Sequence, residues 1–286
     1  MCDQDHFDDD VAEFEKRGLV TRRQFGVFVA AGVCMTLPEV ANAVTVKESE
    51  VTIKTPDGMA DAYFVHPASG TAPGVLMWPD VFGLRPASKQ MAKRLAESGY
   101  SVLVVNPFYR AKKAPTAEKG GATPLDQVRP LMAALNETTH MTDAKAFVAW
   151  LDTQSPVAKN KKIGTQGYCM GGPMAFRTAV AVPDRVGAVA SFHGAALVTD
   201  QPNSPHLQGP KTKAQFLIAI ATDDDERAPN DKTALKDSFA KANRPAEIEV
   251  YKGAHGWCPP DTPVYNQPEA ERAWSRLLVL YGKALG

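Results

Sequence analysis

Cysteine is scarce, with 4 residues in 286, too few for a disulfide-stapled scaffold. Charge of one sign is also missing. The 32 Lys and Arg balance 32 Asp and Glu, and a chain without a basic excess offers no electrostatic footprint for nucleic acid. No run of about 18 apolar residues occurs, so nothing reads as a transmembrane helix. Internal repeats are absent as well. What is there is ordinary for a folded chain: 44% hydrophobic and 22% charged residues. The length suits one large α/β domain or two small ones.

These totals average two unlike parts. Residues 1–20 are polar and acidic, with Asp8, Asp9 and Asp10 in a row. Thr21-Arg22-Arg23-Gln24-Phe25 follows, then a short apolar run over residues 26–37, then Ala41-Asn42-Ala43. A charged start, a short apolar core and small residues before a cut form a secretory signal pattern. The paired arginines resemble a twin-arginine signal, so residues 1–43 are expected to be an export leader read by that machinery. Val33 is too bulky to precede a lipid-bearing Cys34. Removal after Ala43 would leave 28 bases against 24 acids, a charge of +4. It would also leave two cysteines, in a periplasmic or secreted protein with no stable membrane anchor.

Residues 44–286 read as a single domain. Residues 44–55 alternate apolar and polar side chains as a half-buried strand does. Asp57-Gly58 is a turn signal and residues 60–66 return, which predicts an antiparallel hairpin. The pattern then changes. Residues 74–78, 101–105, 162–166, 186–192, 215–221 and 247–251 are short apolar runs suited to strands buried on both faces. Helices are expected near 86–98, 124–135, 140–153, from 173, 230–242 and 268–283. Strands alternating with helices predict an α/β fold, a mostly parallel sheet with helices on both faces and the hairpin at one edge.

The most informative segment is Gly167-Tyr168-Cys169-Met170-Gly171-Gly172, between a strand and a helix. Its spacing matches a nucleophile elbow with Cys in place of Ser. Glycines two residues either side remove Cβ atoms that would crowd so tight a turn. The following helix directs its N-terminal dipole at the sulfur, which favours thiolate. The Met170 N–H is placed to meet a developing oxyanion. Chain order adds weight. Asp223-Asp224-Asp225 follows one later strand and His255 follows the next, the nucleophile–acid–histidine order of α/β-hydrolases. All three positions fall at C-terminal strand ends, where such sheets place ligands.

Together with Trp78-Pro79-Asp80-Val81-Phe82-Gly83, Asn106-Pro107-Phe108-Tyr109-Arg110, Ser191-Phe192-His193-Gly194 and Ala254-His255-Gly256-Trp257, this elbow resembles the dienelactone hydrolase family over roughly residues 50–283. The resemblance implies an α/β-hydrolase fold and a Cys-His-Asp triad acting on esters or lactones, with no metal or organic cofactor. Counting from the strand end at Ala221 gives Asp224 as the acid. Counting back from Pro229 gives Asp225. The strand end fixes geometry more tightly than a loop length, which favours Asp224. Val81 matches the second oxyanion N–H. Asp80 stands where the family carries a Glu that contacts the nucleophile, and a turn role is its plain alternative. Arg110 matches a position that binds a substrate carboxylate. A second family arginine is replaced by Pro259, which weakens the case for the diene-lactone acid itself.

Three more residues remain open on sequence grounds. Trp257 packs either over the pocket mouth or in the core. His193 either lines the pocket or is held by backbone contacts. Cys258, three residues past His255, is either an inert thiol or a disulfide partner for Cys169. His255, Cys258 and the Asp run lack metal-ligand spacing. The expected function is cleavage of a small ester or lactone by a monomer or small homo-oligomer. A thioesterase or peptidase with the same triad, and a non-catalytic binding protein on this scaffold, are the alternatives.

Overall fold

The computed structural model describes residues 37–286, Ala122 excepted. The paired arginines and all but the last seven residues of the expected leader lie outside the described residues. The sheet begins with the hairpin β1 (Val46–Thr55) and β2 (Gly58–Pro67), in register from Val46–Pro67 to Thr55–Gly58. Strands β3 (Gly74–Trp78), β4 (Ser101–Val105), β5 (Ile163–Tyr168), β6 (Val186–Phe192), β7 (Gln215–Ala221) and β8 (Ala246–Tyr251) follow. The eight strands lie in the order β1-β2-β4-β3-β5-β6-β7-β8. The pairs β1–β2 and β2–β4 are antiparallel and the rest parallel. The expected fold class is the observed one.

Among the described residues, six α-helices of six residues or more cover the sheet: α1 (Pro86–Glu97), α2 (Glu137–Thr153), α3 (Gly171–Ala181), α4 (Thr222–Arg227), α5 (Asp231–Lys241) and α6 (Gln267–Ala284). Period-2 alternation along the strands builds two cores. Leu76, Trp78, Leu103, Val105, Phe216 and Ile218 point to the face covered by α2, α3 and α5. Val75, Met77, Val102, Val104, Leu217 and Ala219 point to the face covered by α1 and α6. Because both faces are buried, the strands read as unbroken apolar runs rather than alternating ones.

Two segments depart from expectation. The helix expected over 124–135 is instead a short turn (Leu125–Val128) and a 3₁₀ stretch (Arg129–Ala134). Pro130 lies within that stretch, and the following helix α2 starts afresh at a cap. There Asn136 Oδ1 accepts the Thr139 N–H at 3.1 Å, and Thr139 Oγ1 accepts the Asn136 N–H at 3.0 Å. The acidic run after β7 forms the opening turn of α4, a helix absent from the expected set. Three carboxylates at a helix N-terminus suit the dipole there.

Candidate active site

Cys169 lies between β5 and α3 with φ at +51°, a left-handed backbone that non-glycine residues seldom adopt. The turn is closed by three backbone hydrogen bonds. The Cys169 N–H donates to the Phe192 carbonyl at 3.1 Å, and its own carbonyl accepts from Gly172 at 3.0 Å and Ala195 at 3.2 Å. A Cβ at Gly167 would stand 1.9 Å from the Gly171 carbonyl oxygen. A Cβ at Gly171 would stand 2.4 Å from the Trp78 oxygen and 2.7 Å from that of Pro79. The glycines therefore do what their spacing implied, and the second also shows that the elbow abuts the end of β3. That approach sets Met170 beside the turn carrying Val81, both buried. Backbone strain recurs across the site, since His193 and Ala196 also have positive φ, at 40° and 51°.

His255 is buried and faces Cys169 within hydrogen-bonding reach. Its Nδ1 bonds both carboxylate oxygens of Asp224, at 2.8 and 3.0 Å. Burial opposes charge on the imidazole. Asp224 and the Cys169 sulfur outweigh that, so its pKa is raised well above the usual histidine value. The three aspartates part company. Asp223 accepts the backbone N–H of His255 at 2.9 and 3.1 Å, while Asp225 pairs with Lys232 at 2.8 Å. Sequence reasoning favoured Asp224 for the ring but missed Asp223, whose bond holds the histidine loop. Burial raises the Asp223 pKa, and its neighbour Asp224 adds to the rise.

Other expected residues are placed differently. Asp80 takes the turn role: its Oδ1 accepts the Phe82 N–H at 2.9 Å. Both its oxygens are bound by Arg85, at 2.6 and 2.9 Å, and it borders a recess against α1 with Ser88 and Met91. Its carboxylate is thus turned towards α1 and Arg85. Arg85 also grips Asp261 at 2.7 and 2.9 Å, a buried bridge from the Val81 turn to the loop beyond His255 that the sequence did not reveal. Arg110 is engaged by Asp143 at 2.7 and 2.8 Å and by Asp57 at 2.5 and 3.0 Å, and its guanidinium lies over the Tyr109 ring. That fork is filled by protein carboxylates.

Trp257 is fully buried in the core, stacked on Tyr251 at 5.5 Å between ring centroids. It is not over the mouth. His193 is wedged edge-on between His255 (4.9 Å) and Trp257 (5.0 Å), and neither of its ring nitrogens has a hydrogen-bond partner. Burial, with the nearby His255, keeps its pKa well below the usual value, so the ring is neutral. Cys258 packs among Tyr168, Phe192 and Trp274 on the α1/α6 face, whereas Cys169 packs against the opposite core. Both thiols are free. The sheet separates them, so the disulfide considered from sequence is not formed.

Cys169 and His255 open into a cleft of about 750 Å³, counting its mouth. Its lining combines small and apolar residues, including Ala195, Ala196, Leu197, Ile220 and Leu235, with the charged Asp224, Asp225, Arg227, Asp231 and Lys232. A nucleophile candidate, a hydrogen-bonded base and an orienting acid at the floor of a cleft can perform acyl transfer.

Residues 60–285 match the Dienelactone hydrolase family. The chain is 26% identical over 230 residues to the carboxymethylenebutenolidase of Rhodococcus opacus, covering 78% of this chain and 86% of that one. Its fold is similar to a dienelactone hydrolase-like promiscuous phosphotriesterase from metagenomic libraries, with a TM-score of 0.67, 20% identity and coverage of 84% and 99% of the two chains. It is also similar to the dienelactone hydrolase of Anabaena variabilis, with a TM-score of 0.58, 16% identity and the same coverage. With the elbow, the eight-stranded sheet and this match over most of its length, the chain belongs to the dienelactone hydrolase family and is a hydrolase of that type.

Proposed function

We propose that this hydrolase cleaves a carboxylic ester or lactone by covalent catalysis at Cys169. The observation that carries the reading is the chain of contacts from Asp224 through His255 to a cysteine held on a left-handed turn at a helix start. His255 takes the thiol proton and becomes imidazolium, stabilised by Asp224. The thiolate adds to the acyl carbonyl, and the Met170 and Val81 N–H groups stabilise the oxyanion. Collapse expels the alkoxide, which takes the imidazolium proton and leaves a thioester on Cys169. Neutral His255 then takes a proton from water as that water attacks. The acid departs and the thiol is restored. A lactone follows the same course, its alcohol remaining joined to the acid.

The test is a mass measurement during turnover of an activated short ester. An acyl adduct on Cys169, and its loss together with turnover in Cys169→Ala, is the expected result. Undiminished turnover in that variant would overturn the mechanism. Thioesters and activated amides are accessible to the same constellation. A binding protein on this scaffold would take up no acyl group. Export by the twin-arginine route is the accompanying proposal, supported by Arg22-Arg23, the short apolar run and Ala41-Asn42-Ala43.

A further inference from the structure

Around the reacting groups the cleft wall holds two cations, Arg227 and Lys232, and three carboxylates, Asp224, Asp225 and Asp231. Each cation stands on a carboxylate: Arg227 at 3.4 Å from Asp224 and Lys232 at 2.8 Å from Asp225. Either could turn to a substrate anion only by giving up that partner and leaving an aspartate beside the newcomer. Outside the cleft, Arg110 and Arg85 are each gripped by two carboxylates. An anionic acyl group would therefore meet three negative charges and, among the described residues, no cation without a counter-charge. Asp224 is bound by His255 and Arg227, and Asp225 by Lys232 through one oxygen, so the charged lining as a whole is turned against a negative group. What an acyl chain can bury against is the apolar part of the lining, Ala195, Leu197, Ile220 and Leu235.

The geometry points to a substrate without an anionic acyl group, an ester or lactone whose acyl part is a short apolar chain bearing no carboxylate. This rests on the hydrolase mechanism proposed above. It narrows that mechanism to acyl groups without a negative charge and sets this chain apart from any hydrolase that anchors a substrate carboxylate.

The test compares two 4-nitrophenyl esters of equal acyl length, ending in a methyl ester or a carboxylate. The neutral ester is expected to exceed the anionic one in kcat/KM by about tenfold or more, a gap that narrows as salt is raised. Asp225→Asn, which releases Lys232, is expected to move the neutral-to-anionic ratio towards the anion by about threefold or more. The salt series on the unaltered protein gives the same readout if that variant folds poorly. An anionic ester cleaved as well as the neutral one would overturn the inference, as would a preference unmoved by both salt and Asp225→Asn. No turnover of any ester, with no adduct on Cys169, would instead overturn the hydrolase mechanism, and the inference with it.

Discussion

At Cys169 a single backbone angle in the left-handed region is maintained because two glycines clear the space around it. Gly167→Ala would drive a methyl group to 1.9 Å from a backbone oxygen that cannot swing away. The expected outcome is loss of more than about 3 kcal/mol in urea denaturation, or no folded protein at all. Asp224 allows a sharper distinction. Asp224→Asn keeps the shape but loses the carboxylate that fixes the His255 tautomer, so kcat should fall about 10³- to 10⁴-fold with little change in KM. Asp225→Asn should cost less than about tenfold in kcat for a neutral ester, because that side chain is turned to Lys232. Steady-state kinetics of the two variants checks both statements. The sequence alone could not make this choice firm. Three identical residues in a row differ only in where they point, and that depends on their lying in a helix, where each step rotates by about 100°. No apolar periodicity in Thr222–Arg227 marks that helix.

At the scale of elements, strands were legible because burial on both faces writes itself as short apolar runs. Contacts between distant elements were not. Arg85 and Asp261 are 176 positions apart, and neither neighbourhood hints at the other. Yet Arg85 joins the β3 turn, α1 and the histidine loop in one buried bridge. Arg85→Met would leave Asp80 and Asp261 buried without their cation. A loss of about 3–5 kcal/mol in chemical denaturation is expected, partly restored when both aspartates are also changed to Asn. A second buried contact joins α2 to α3: His140 Nδ1 accepts from Arg177 at 2.8 Å. Burial, helped by Arg177 and Arg110, lowers the His140 pKa to about 3. The unfolded chain takes a proton on this residue near pH 6.5 while the folded one refuses it until about pH 3. Stability contributed by neutral His140 is therefore present above pH 6.5 and lost as pH falls through that window, at up to about 1.4 kcal/mol per unit. Urea midpoints from about pH 7 down to about pH 4 should show this slope, and His140→Gln should flatten it.

For the whole molecule, the sheet is a partition. It assigns each of the two described cysteines to its own compartment, which spacing along the chain could not foretell. Three residues separate His255 from Cys258, and from that alone the second thiol reads as a neighbour of the site. In the fold, the chain turns after His255, and Trp257 and Cys258 enter the α1/α6 core. There burial pushes the Cys258 thiol well above its usual pKa. Cys169 opens on the cleft beside His255. Two thiols in one polypeptide should then differ in reactivity by as much as two unrelated proteins. Under native conditions iodoacetamide should alkylate Cys169 at least about 100-fold faster than Cys258, with the ratio approaching one in denaturant. Peptide mapping by mass spectrometry reads both sites in one sample. Comparable native rates, or a peptide linking the two sulfurs, would mean that the sheet does not separate them and that the opposed cores described here are not those of the molecule in solution.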